Sequence, residues 1–220
     1  MLYKKEKDSI LKWREDIITL GVIIVCLALF SLFPATDTLQ NITRSLFFLV
    51  IIPGLYIKII LQKNFSEFGL SVQEPQRGFF WGGLMLVVSL IIGILLIHFS
   101  GLKGSYSLPA YVMTNFWFFV LYELVFINIF FFIQEFFYKG FALFSFADKL
   151  GWWSIGVSFV IYFFMAMSSG SLGWQNTPFL ILAATGGIVS YKTRSFIYAY
   201  LMGILFLILF DAYLIHILNK

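Results

Sequence analysis

The stretch FFIQEFFYKGFALFSF, residues 131–146, decides how the rest of the chain is read. It lies inside a run, residues 111–150, that is otherwise almost wholly apolar and aromatic. Placing Gln134, Glu135 and Lys139 near the middle of a membrane costs on the order of several kcal/mol unless they find partners. Glu135 and Lys139 stand four apart, the favourable order and distance for an ion pair along one helix. Asn128 falls on nearly the same face seven residues earlier.

Composition sets the class. Hydrophobic residues make up 60% of the 220-residue chain and charged residues 12%, and the mean hydropathy is +0.92. These values point to a polytopic membrane protein with one membrane domain, 17–220, after a basic segment, 1–16, expected on the membrane surface. The 28 Phe read as lipid-facing packing. The net charge of +4 sits in ends and loops, so it reports topology and not nucleic-acid binding. The lone Cys26 excludes an internal disulfide and a Cys-rich metal site. No small-residue cleavage site follows the first apolar run, so it reads as a span and not a cleaved leader.

Taken in order, the apolar segments predict an all-α polytopic bundle of about seven helices. They cover about 17–33, ended by Pro34 and Asp37; 45–61, kinked at Pro53-Gly54; 78–99; the long segment 111–150; 152–167; 179–191; and 195–217. The long segment would make roughly 55–60 Å of helix against a hydrocarbon core of about 30 Å. It must tilt, break or run beyond the membrane. The fifth and sixth segments are short enough to re-enter without spanning. With seven spans, Lys4, Lys5, Lys7, Lys12, Arg14, Lys63, Arg77, Lys149, Lys192 and Arg194 share one side, and Arg44, Lys103 and Lys220 the other. The positive-inside rule then predicts a cytoplasmic N-terminus and an outer C-terminus in a bacterial-type plasma membrane.

QEFFYKG followed by FALFSF resembles the Glu-Glu-x-x-x-Arg-Gly motif of the CPBP intramembrane endopeptidases, which include CAAX prenyl proteases and Abi-type immunity proteins. KLGWWSIGVSFVIYFFMAMSS resembles the family's second-motif helix, and FLILAATGGIVSYKTRSFIYAYLMG its last helix pair and basic turn. NFSEFGLSVQEPQRGFFWG resembles the segment before the core. The likeness covers about residues 60–210, with a family-like core at about 111–210. It implies a membrane endopeptidase fold, with zinc as the cofactor if the activity is retained. It also implies a membrane-embedded or prenylated peptide, or a partner membrane protein, as the molecule bound. Residue by residue, the family's two glutamates fall at Gln134 and Glu135 and its arginine at Lys139. Its histidines fall at Ser168 and Gly203, and the companion Asn or Asp at Leu207. Only Glu135 is retained.

The chemistry follows from those replacements. Peptide hydrolysis of this kind needs a carboxylate base for water and a metal or donors for the oxyanion. Gln134 is no base, Ser168 is a poor metal ligand and Gly203 has no side chain. His98 and His216 lie at the outer ends of their spans, far from Glu135. Glu135 with Lys139 reads most simply as a structural ion pair. A catalytic Glu135, assisted by Lys139 or Asn128, is the sharper alternative. Glu123 reads as a partner for Lys139 or for a facing Tyr, or as a neutral hydrogen-bonded carboxyl. Asp211 is expected near the outer interface. Ser168, Ser169 and Ser171 read as helix-ending residues, since no His or Lys base is near. Gly82-Gly83, Gly93, Gly186-Gly187 and Gly203 are expected to allow close helix packing. Three functions compete: an active endopeptidase using Glu135, a relative that keeps the scaffold without the site, and a small transporter with Glu123, Glu135, Lys139 and Asp211 along a polar path.

Overall fold

The computed structural model describes residues 2–102, 108–168 and 173–218, with side chains from Arg14 onward except that of Ser168. Among these residues every element is helical. In chain order they are α1 (Leu2–Leu32), α2 (Thr38–Ile60), α3 (Pro75–Phe99), the short α4 (Ala110–Thr114) and α5 (Phe116–Leu150). Then come α6 (Trp153–Ser168), α7 (Thr177–Thr193) and α8 (Phe196–Leu218). Five of them, α1 from Arg14 on, α2, α3, α5 and α8, are long and apolar enough to cross a membrane. The chain is an all-helical membrane protein.

Several boundaries differ from the sequence reading for identifiable reasons. The helix that carries the first span begins at Leu2 and takes in the basic segment 1–16; the side chains before Arg14 lie outside the described residues. Asp37 does not merely end the first span. Its carboxylate accepts from the Gln40 N–H at 2.7 Å, capping α2 at Thr38, well before residue 45. Pro53, which lacks an N–H, stands between two π-helical turns, Phe47–Ile51 and Tyr56–Ile60. The long fourth segment does break. Asn115 separates α4 from α5 and accepts from the Trp117 N–H at 2.9 Å, so that α5 begins with a cap.

α7 is the inner helix of the bundle. Ile181, Leu182, Thr185, Gly186, Gly187, Val189, Ser190 and Thr193 are all buried, because α3, α6 and α8 pack around it. A helix covered by protein has no need of a long lipid-facing surface, which fits its 17 residues and small side chains. Hydroxyl pairs tie helices together where apolar contact gives little preference between lipid and protein. Ser89 of α3 bonds Thr185 of α7 at 2.9 Å. Thr19 gives its proton to the Glu15 carbonyl at 2.8 Å, so Tyr56 of α2 must be the donor in their 2.9 Å contact.

One expectation is corrected by the core. The phenylalanines are not chiefly lipid-facing: Phe137, Phe141, Phe196, Phe206 and Phe210 are among the largest fully buried side chains. Others, such as Phe79, Phe80 and Phe164, do face outward. Buried rings demand room on the opposing helix, and glycines supply it. A Cβ at Gly203 of α8 would collide with the Phe131 ring, and one at Gly93 of α3 would press on Phe210. Gly83, by contrast, faces nothing within 4 Å.

Charged groups collect at the two ends. At one, Glu15 pairs with Lys63 at 2.8 Å, Asp16 with Lys149 and Asp148 with Arg194 at 3.2 Å. Lys192 lies 5.4 Å from each of the Trp81 and Trp152 rings there. At the other, Arg44 stacks on Phe30 at 4.3 Å and His98 meets Tyr213 at 3.0 Å. Lys103 and Lys220 lie outside the described residues.

Gly203 and Gly83 differ in what an added methyl group would meet. Gly203→Ala should lower stability by about 1–3 kcal/mol through overpacking against Phe131, while Gly83→Ala should leave it nearly unchanged. Thermal unfolding in one detergent, followed by circular dichroism, reads both. Equal effects would show that Phe131 does not occupy the space at Gly203.

Candidate functional site

Within α5, the turn Phe136–Ala142 is π-helical and every one of its residues is buried. Protein therefore surrounds this part of α5 on all sides, so its polar groups must be satisfied from within the bundle. The Lys139 ammonium donates to Glu135 Oε1 one turn away. Both residues are almost fully enclosed, at 2% and 4% exposure. Two features of neighbouring helices shape the pair. Gly186 of α7 leaves the space that Nζ fills, since a Cβ there would overlap the ammonium. The Phe131 ring lies 5.8 Å from Nζ, within reach of a cation–π attraction.

The second carboxylate oxygen, Oε2 of Glu135, is buried without a hydrogen-bond partner among the described residues. It borders a cavity of about 10 Å³ whose wall includes Gln134, Tyr138, Ser158, Tyr162 and Ala183. That is about the room one water centre requires, and no peptide fits it. Ser158 of α6 donates to the Tyr138 carbonyl at 2.7 Å, and the Tyr138 and Tyr162 rings meet edge to face at 5.0 Å. α6 is thereby fixed against the π turn.

The other candidate residues are placed as follows. Gln134 shares the cavity wall with Glu135. Ser168 ends α6 ten residues beyond Ser158, roughly 15 Å farther along the helix; its side chain lies outside the described residues, as do Ser169 and Ser171. Gly203 is separated from the pair by Phe131, whose ring takes up the space a side chain at 203 would use. Leu207 is buried at 2% exposure in the apolar cluster that includes Phe131 and Leu182. Asn128 does not join Glu135 and Lys139: its Oδ1 accepts from the Tyr200 hydroxyl and its Nδ2 donates to the Leu124 carbonyl at 3.0 Å.

Glu123 is no partner for Lys139 either. It stands sixteen residues away on α5, roughly 24 Å of helix, with Asp211 of α8 as its carboxyl neighbour. Asp211, seven residues before the end of α8, is buried at 3% exposure, and Glu123 at 2%. His98 is engaged with Tyr213, and His216 is exposed at the far end of α8.

Zinc does not fit the residues around Glu135. The only carboxylate there already holds a cation, and Ser158, Tyr162 and Gln134 lack the His, Cys or Asp/Glu donors zinc selects. Among the described residues no group of three or more His, Cys, Asp or Glu could hold a metal ion. Sequence reasoning passed over Tyr138, Ser158 and Tyr162. The last two are four apart and face α5 together, a spacing that would have flagged them. No family model matches the chain, and neither a curated protein nor a solved structure matches it.

The pair generates a stability prediction. Glu135→Gln or Lys139→Met alone should cost about 3–5 kcal/mol, because each strands one buried partner. The double variant should recover a large part of that loss. Denaturant unfolding in mixed micelles, run as a double-mutant cycle, measures the coupling; additive losses would show that the two groups are not held together.

Proposed function

We propose that this chain is a non-catalytic membrane scaffold with a CPBP-protease-like arrangement, binding a membrane-embedded or prenylated peptide or a partner membrane protein without cutting it. One observation carries the reading: the single carboxylate at the motif position is paired with Lys139 in a space that admits about one water molecule. A base paired with an ammonium, with no room beside it for a scissile bond, lacks what hydrolysis needs. Phe131 standing against Gly203 supports the same reading, since aromatic packing occupies the region where the resemblance would place a histidine.

In this proposal α6 and α7 complete seven spans, with the Lys63, Lys149 and Arg194 end in the cytoplasm and the Arg44 end outside, in a bacterial-type plasma membrane. The active-endopeptidase alternative draws on the unpartnered Oε2 of Glu135. The transporter alternative is weaker, because Glu123–Asp211 and Glu135–Lys139 form two separate islands on α5 and no continuous polar path is built from them.

Metal content and peptidase activity of the detergent-purified protein separate these readings. The scaffold predicts no stoichiometric zinc and no cleavage of prenylated or unmodified peptides. Cleavage abolished by Glu135→Gln would overturn it.

A further inference from the structure

A carboxylate oxygen buried without a donor is costly unless something else solvates it. Oε2 of Glu135 is such an atom, and the water-sized cavity beside it has a polar rim formed by Gln134, Ser158 and the two tyrosines. On an adjoining face of α5 lies a second cavity of about 200 Å³, between α1, α2 and α5, with Asn41, Ser45 and Gln134 among its walls. Gln134 borders both spaces. Its primary amide can donate to one water and accept from another, so it can pass hydrogen bonds between them. Asn41 and Ser45 belong to the first turns of α2, on the Arg44 side of the bundle and away from the ion pairs of Lys63, Lys149 and Arg194.

We propose that a water molecule is bound on Glu135 Oε2 and reaches it from the Asn41–Ser45 cavity past Gln134. The buried ion pair is then hydrated from the Arg44 end of the bundle. The water is a solvating ligand of the pair, and no bond is made or broken. The route rests on the two cavities and their shared wall, and it does not depend on the family reading.

Radiolytic hydroxyl labelling of the full chain in nanodiscs tests it, because ordered water next to a ring is a local source of the radical. Corrected for intrinsic reactivity, Tyr138 and Tyr162 should be labelled far above Phe206 and Phe210, which lie in the second apolar cluster. Gln134→Leu should cut labelling of both tyrosines several-fold. Ser45→Leu, which narrows the second cavity without altering Gln134, should do the same. Thermal unfolding establishes that each variant is folded. Tyrosines as unlabelled as Phe206 in the parent chain would overturn the proposal, and so would unchanged labelling in either folded variant.

Discussion

Placing a carboxylate and an ammonium together in an apolar bundle is the constraint on which this structure turns. Separately, neither Glu135 nor Lys139 could be enclosed in protein inside a membrane at tolerable cost. Four residues apart on α5, each is the other's nearest opposite charge. The remaining neighbours are arranged to accept the pair. Gly186 clears the ammonium, Phe131 presents its ring to it, and Ser158 and Tyr162 close the carboxylate side. The pair therefore couples α5 to α6 and α7, and through Phe131 and Gly203 to α8.

Packing around that centre is aromatic and glycine-dependent. Lipid and protein interiors are about equally apolar, so association inside a membrane depends on fit and on scattered hydrogen bonds. Rings such as Phe131, Phe196 and Phe210 give area, and Gly203, Gly140 and Gly93 give the close approach that lets them seat. The hydroxyl contacts Thr19–Tyr56 and Ser89–Thr185 add direction at two other interfaces.

Much of this was legible in the sequence, and the parts that were not share a cause. The Glu135–Lys139 pair could be read because its geometry is local to one helix. The α7–α8 turn could be read because basic residues mark it, whereas the excess length of 111–150 called for a tilt, a break or an extension without placing the break at Asn115. Glu123–Asp211 could not, since the contact joins two distant helices and spacing carries no information about it. Nor could the burial of the phenylalanines, because an apolar helix looks alike on its lipid and protein faces. Asp37 was read correctly as lying past the end of α1, but its capping of α2 was not read, although Asp37–Gln40 carries a helix-start spacing. Tyr162 was missed because an aromatic on an apolar helix usually signals packing alone.

The central claim is that Glu135 is held as a carboxylate by Lys139. Infrared difference spectroscopy of the parent chain against Glu135→Gln, with isotope-labelled glutamate, addresses that claim directly. The account predicts that the substitution removes a carboxylate stretching band and leaves the carboxylic-acid carbonyl region unchanged. Loss of a carboxylic-acid carbonyl band instead would mean that Glu135 is neutral, and that the bundle is not built around an ion pair.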